Sequence, residues 1–169
     1  GINLGANMGE DLLYSGTVGA ALEAKGLKYP SIAISAAAFH QPGSKEYMDP
    51  NYHTSANVVQ DLLENYSLNE IDPSLVLNIN TPNVEFSELM AYKITSIGSW
   101  GSRLPPQVEK DSQGNTTYWT THRGKYEKNE EYTDIDVLEN NMVSISPIFP
   151  NYSLKNKSLQ KFSLKRNDP

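Results

Sequence analysis

The chain has no cysteine among its 169 residues. That excludes a disulfide framework and a thiolate metal site. It has no apolar run long enough for a membrane helix and no signal-peptide pattern at its start. It lacks a phosphate loop ending in Gly-Lys-Ser/Thr and a dinucleotide-binding G-x-G-x-x-G turn. A nucleophile elbow at Ser15 is excluded too, because Leu13 and Thr17 stand where that motif needs glycines. His40, His53 and His122 do not have metal-ligand spacing; only His40, just past an apolar run, is placed to face a site. Basic residues are outnumbered by acids, 14 to 20, for a net charge of -6. This argues against a general nucleic-acid binder or a duplex partner. No pair of adjacent aspartates occurs anywhere, and there is no internal repeat.

Against these absences stands one dense run. Residues 1–18, GINLGANMGEDLLYSGTV, hold three spaced glycines, two asparagines and a Ser-Gly-Thr triplet, all ahead of a helical pattern. Gly1, Gly5 and Gly9 allow positive φ and close backbone approach. Asn3 and Asn7 offer neutral carbonyl oxygens, which suit a hard cation such as magnesium or manganese. Ser15, Gly16 and Thr17 open the helix, where unpaired N–H groups and the positive end of the dipole favour phosphate. Cation and phosphate together point to phosphoryl chemistry. The same residues have a plainer reading as a turn and an ordinary helix cap, and spacing leaves both open. Glu10 and Asp11 would repel a phosphate if aimed inward, so they are expected to face outward, toward a subunit boundary.

Further along, the pattern is that of an α/β protein. Residues 17–25 read as a helix with Val18, Ala21, Leu22 and Lys25 on one face and Gly26 as its stop. Residues 31–35 form a short apolar run between turn signals, a buried strand of the parallel type. Helix, loop and strand make half of a βαβ unit, whose active groups sit at strand carboxyl ends. Thr54 is the expected cap of a second helix reaching about Tyr66, with Val58, Val59, Leu62 and Leu63 as its apolar side. Residues 75–80 and 90–97 read as strands. From residue 98 to 132 the pattern changes: Pro105, Pro106, the turn DSQGN at 111–115 and β-prone residues at 116–121 predict a long hairpin. Its aliphatic content is too low to bury it alone. Trp100, Tyr118 and Trp119 are either interface anchors or a cross-strand aromatic cluster. Thr133 is set to cap a short helix through Leu138, and residues 142–145 make a last strand that ends at Pro147. Lys155, Lys157, Lys161, Lys165 and Arg166 make the final segment basic, either a phosphate-binding tail or a solvated helix facing an acidic neighbour.

The string GINLGANMGEDLLYSGTVGAALE strongly resembles the SurE family of metal-dependent 5′/3′-nucleotidases, also called survival proteins. PSIAIS (30–35), LNINTP (77–82), GNTTYW (114–119) and TDIDVLENNMVSISPI (133–148) follow in family order. The resemblance therefore covers nearly the whole chain, strongest before residue 40 and weakest after Phe149. It implies a Rossmann-like three-layer αβα sandwich, present here as its second half, with a protruding β-hairpin and a C-terminal tail. The chain then divides into the second half of the core (1–97), an oligomerisation arm (98–132), a helix and strand returning to the core (133–150) and a basic segment (151–169). The implied activity is release of phosphate from nucleoside monophosphates with a divalent cation, magnesium or manganese. Asn3 is then the one metal ligand in this chain, and Asn7, Ser15, Gly16 and Thr17 hold phosphate oxygens. Family members carry paired aspartates and a serine loop upstream of this motif, and those complete the metal site. The catalytic acid is not identifiable in residues 1–169.

The resemblance also implies a homodimer or homotetramer built through the hairpin and the C-terminal segment. The cytoplasm is the default compartment for a cysteine-free chain without a membrane span. Two other readings stand beside the enzyme. Without paired aspartates the chain is also legible as a non-catalytic assembly module, or as a phosphate-binding module without turnover.

Overall fold

The computed structural model of the chain describes residues 1–38, 48–102, 104–119, 126 and 132–149. His40 and the basic residues after Asn151 lie outside them, as do His122 and most of the segment joining the hairpin to residue 132. The elements run in the order β1 (Asn3–Leu4), α1 (Gly16–Glu23), β2 (Ser31–Ala36), α2 (Tyr52–Asn65), β3 (Val76–Thr81), β4 (Tyr92–Ile94), β5 (Gln107–Lys110), β6 (Thr116–Trp119), α3 (Asp134–Glu139) and β7 (Val143–Ile148). A six-residue 3-10 helix, Gly9–Tyr14, separates β1 from α1. Among the described residues no helix is long and apolar enough to cross a membrane.

Five strands form one sheet in the order β1-β2-β3-β7-β4, and β5 and β6 form a separate two-stranded ribbon. β1, β2 and β3 are parallel, as the buried runs predict. β7 runs antiparallel to β3, with β4 parallel to β7, so the far side of the sheet is reversed. The result is an α/β fold with a mixed sheet and helices on both faces. On one face α2 buries Val58 and Leu62 against Leu77, Ile79, Val143 and Ile145. On the other, α1 buries Val18 and Ala21 against Ala33 and Val76. Ile135 and Leu138 of α3 close over Met8 and Ala37 beside the carboxyl ends of β1 and β2. Strand alternation explains the split, because Leu77 and Ile79 point one way while Val76, Asn78 and Asn80 point the other.

Local chemistry sets most boundaries. Ser15 caps α1, its Oγ accepting from the Val18 N–H at 3.1 Å, and Gly26, at φ +83°, follows its end. α2 begins two residues before Thr54. Asn51 is the cap, its Oδ1 accepting from the Thr54 N–H at 3.0 Å. Thr54 is instead buried and donates from its hydroxyl to the Val84 carbonyl. Thr133 caps α3 in a reciprocal box with Asp136, as its position predicts. β4 is only three residues of the expected 90–97 strand; on either side the backbone makes single contacts instead of a regular ladder, Met90 N–H to the Asn141 carbonyl and Ser96 in an isolated bridge with Thr133. β7 continues through Pro147 instead of stopping there. The pairing of β4 with β7 has ended at Ile145, so on that side Pro147 lies on an open edge, where a missing N–H costs no ladder bond.

Ile79 is fully buried at the centre of the α2 face. Ile79→Ala is expected to cost about 2–5 kcal/mol through lost burial and a residual cavity. Urea denaturation checks this: the midpoint falls while the m-value stays constant.

Candidate functional site

The site is built at the carboxyl ends of the parallel strands, where loops of α/β sheets gather their ligands. In register, Asn3 of β1 lies opposite Ser35 of β2, Ser35 opposite Asn80 of β3, and Asn80 opposite Ser144 of β7. One polar row therefore crosses four strands on a single face. Ser35, Asn80 and Ser144 are fully buried, as are Asn78 and Ser146 one row below. Ser144 and Ser146 are satisfied by the Thr95 hydroxyl at 2.9 and 2.8 Å.

Asn7 closes over this row. Its backbone N–H donates to Asn80 Oδ1 at 2.8 Å, and its carbonyl accepts from Asn78 Nδ2 and Asn80 Nδ2, both at 2.9 Å. Its side-chain amide donates to Ser35 Oγ at 2.8 Å. Three hydrogen bonds thus fix one residue's backbone, and the loop cannot slide without stranding buried amides. Asn78 Oδ1 is buried with no hydrogen-bond partner among the described residues.

Asn3 is held differently. Its Nδ2 donates to its neighbours' carbonyls, Leu4 O at 3.2 Å and Gly5 O at 2.8 Å. Only the amide nitrogen can donate to a carbonyl, so the side-chain orientation is forced. The Asn3 carbonyl oxygen is left as the group with ligating capacity. Gly5, at φ +87°, makes the turn that brings those carbonyls round.

The triplet Ser15, Gly16 and Thr17 sits at the start of α1, as predicted. Gly16 is exposed with open space around it, and Ser15 and Thr17 are half-buried. The structure brings Asn3 and Asn7 together through Ser35. It joins the triplet to them only by chain connectivity, with no hydrogen bond among the described residues.

The loop's far end is fastened by residues that local pattern did not single out. Asp134, fully buried, accepts from the Gly9 N–H at 2.9 Å through Oδ2 and from the Gly98 N–H at 2.8 Å through Oδ1. Burial pushes its carboxyl above the usual aspartate value, and the backbone N–H groups of Gly9 and Gly98 pull it back. Glu10 is exposed, and its carboxylate engages the segment 98–100. It accepts from Ser99 Oγ at 2.6 Å and from the Trp100 N–H at 3.0 Å within this chain. Trp100 packs within this chain. It stands against Tyr126 edge-on at 6.3 Å and donates from Nε1 to the Met8 carbonyl at 3.3 Å. Its ring covers Gly9, where an added Cβ would lie 2.7 Å from Nε1. Gly9 also has φ +55°, so both backbone and space require glycine there.

Ser35, Asn78, Asn80 and Asp134 are the residues of the candidate site that sequence reasoning missed. The signal was present in LNINT: two asparagines two apart on one face of an otherwise apolar strand, where that residue type is disfavoured.

For a divalent cation the chain supplies one fitting donor, the neutral Asn3 oxygen of the kind magnesium and manganese accept. Among the described residues no cluster of three or more His, Cys, Asp or Glu side chains is placed to hold a metal ion. The candidate donor set among the described residues is therefore this one neutral oxygen.

A parallel β-unit with a pinned Gly/Asn loop at its carboxyl edge, followed by a Ser-capped helix, is the arrangement of phosphate-handling α/β folds. Comparison with known families specifies which. The model of the family described as Survival protein SurE matches residues 1–103, and the chain belongs to that family. Over 148 residues it is 38% identical to a 5'-nucleotidase SurE of Haemophilus influenzae, an alignment covering 88% of this chain and 55% of that relative. The corresponding protein of Nitrosomonas eutropha is 36% identical, with 88% and 57% covered. The crystal structure of the SurE protein from Aquifex aeolicus matches with a TM-score of 0.62 at 31% identity, covering 95% of this chain and 61% of that one. The chain spans just over half the length of the curated relatives it matches.

The Asn80 amide both accepts from and donates to Asn7. Asn80→Asp keeps the size and the acceptor but sets a carboxylate oxygen against the Asn7 carbonyl. The expected cost is about 1–3 kcal/mol. Amide exchange should accelerate at Asn7 and stay unchanged in α2.

Proposed function

We propose that the whole protein is a divalent-metal-dependent phosphomonoesterase that releases phosphate from nucleoside monophosphates. Membership of a family whose relatives are named 5'-nucleotidase supports the substrate class. The observation that carries the reading is the pinned Asn7 loop, whose backbone is held by two fully buried asparagines beside the Asn3 oxygen.

In this reading Asn3 contributes its carbonyl oxygen to magnesium or manganese, and the remaining ligands come from outside residues 1–169. When bound, the cation supplies Lewis-acid polarisation of the phosphate. This chain's own residues bind and orient the anion. Asn7 has a second amide hydrogen beyond the one given to Ser35. Ser15 accepts from Val18 and keeps its hydroxyl hydrogen to donate. The Gly16 and Thr17 N–H groups open an eight-residue helix whose dipole favours negative charge. Such donors act most strongly where charge moves to the phosphoryl oxygens in the transition state.

Assembly is part of the proposal. β5 and β6 are exposed at every position but Thr117, and Val108, Tyr118 and Trp119 present apolar surface outside the core clusters of the described residues. That supports a homodimer or homotetramer in which this ribbon pairs with another subunit. A cytoplasmic location is consistent with a sequence free of cysteine.

The test is hydrolysis of 5′- and 3′-nucleoside monophosphates by the full-length protein, with manganese or magnesium added. Asn3→Ala should abolish metal-dependent turnover while the far-UV spectrum and thermal midpoint hold, and full activity in that variant at limiting metal would refute the assignment. Each phosphate contact removed at Ser15 or Thr17 should weaken transition-state binding by about 1.5–3 kcal/mol. Phosphate binding without turnover in the wild type would favour a binding module, and neither would favour an assembly module.

A further inference from the structure

We propose that Asp134 is a positioning residue, which aims the ligand loop by locking it to the segment 98–100. The inference rests on the phosphomonoesterase reading above.

Asp134 is a carboxylate with no solvent exposure and no cation beside it among the described residues. Such a group is unfavourable inside a protein unless its oxygens are well hydrogen-bonded. Here its two oxygens face two separate backbone donors, Gly9 N–H and Gly98 N–H. The hydrogen bonds that hold its charge all come from backbone N–H groups. A residue needed only to fill space between α3 and the sheet would be apolar, like its neighbours Ile135, Val137 and Leu138. The carboxylate instead joins two stretches of backbone that share no strand or helix.

Other contacts reinforce the joint. Glu10 grips Ser99 and Trp100, and Trp100 lies on Gly9 and bonds the Met8 carbonyl. Residues 8–10 are thus fixed to 98–100, and the residue just before them, Asn7, is fixed to β3. The two anchors are adjacent in the chain, so the Gly9 position sets how Asn7 presents its side chain. With Asp134 disabled, the β3 anchor remains and the fold persists, but the loop pivots about Asn7.

The chemistry of the pair makes the amide variant informative. Asp134→Asn is nearly isosteric and supplies one acceptor where two N–H groups require acceptors. Its NH2 must face one of them, and that donor is left opposed.

The experiment compares wild type, Asp134→Asn and Val137→Ala in the full-length protein. Val137 is buried in α3 but bonds neither Gly9 nor Gly98, so it controls for loss of α3 stability. Measured are thermal midpoints, amide exchange at Gly9 and Gly98, and kcat and KM for a nucleoside monophosphate with manganese. In Asp134→Asn, kcat should fall about tenfold or more with KM within about threefold, and exchange at both glycines should accelerate. Val137→Ala should lower the midpoint and keep kcat. An Asp134→Asn enzyme that keeps kcat, or loses no more than Val137→Ala does, overturns the proposal. If Asp134→Asn does not fold, Glu10→Ala opens the same joint from the solvent side. It should lower kcat with the midpoint near wild type, and an unchanged kcat there overturns the proposal equally. A wild type without hydrolysis would refute the phosphomonoesterase reading instead, while the exchange rates would still report on the joint.

Discussion

A strand cannot carry two asparagines on its buried face unless something off the sheet satisfies them. Asn78 and Asn80 are both 0% exposed, and unpaired amides at that depth would each cost on the order of 1–3 kcal/mol. The Asn7 backbone meets three parts of that demand with one donor and one shared acceptor, pairing Asn80 Oδ1 and both amide nitrogens and leaving Asn78 Oδ1 without a partner among the described residues. Everything else at the site is arranged around this exchange. β3 needs the loop as much as the loop needs β3, so the Asn7 loop is ordered by the core. The polar row from Asn3 through Ser35 to Asn80 shows why the demand falls at the carboxyl edge, where parallel strands end and their side chains meet a loop instead of a helix.

Much of this was legible in the sequence and some of it was not, for physical reasons. The start of α1 was readable because capping is local: Ser15 Oγ reaches an N–H three residues away. Gly26 as a stop and Thr133 as a cap follow the same logic. The strands β2 and β3 were readable as apolar runs between turns. The direction of β7 was not, since pairing partners leave no local mark, and Pro147 signalled an end that an open edge made unnecessary. Asn3, Asn7 and the Ser15–Thr17 triplet stood out because glycines surround them. Asn78, Asn80 and Asp134 did not, because their partners lie 71, 73 and 125 positions away. Trp100 was assigned to the hairpin by sequence proximity. Its ring instead meets Gly9 in the loop after β1, a match that only folding reveals.

The site divides into a fixed floor and donors that remain available. Asn78, Asn80 and Ser35 are spent on holding the loop. The Asn3 oxygen, the second Asn7 amide hydrogen and the open start of α1 keep capacity for a ligand. This is the pattern of a preorganised anion site, in which donors are held rigidly before charge develops. The acidic side chains nearest the loop fit the same division. Asp134 and Glu10 turn their oxygens onto backbone and hydroxyl donors at Gly9 and 98–100, and so place negative charge in hydrogen bonds.

The most direct measurement is a crystal structure of the full-length protein with manganese and vanadate, the metal located by its anomalous scattering. The expected result is manganese bound by the Asn3 carbonyl oxygen, and the oxyanion between the Asn7 amide and the N–H groups of Gly16 and Thr17. An oxyanion and metal bound elsewhere, with the start of α1 covered by protein, would contradict the assignment of this loop as the catalytic cradle.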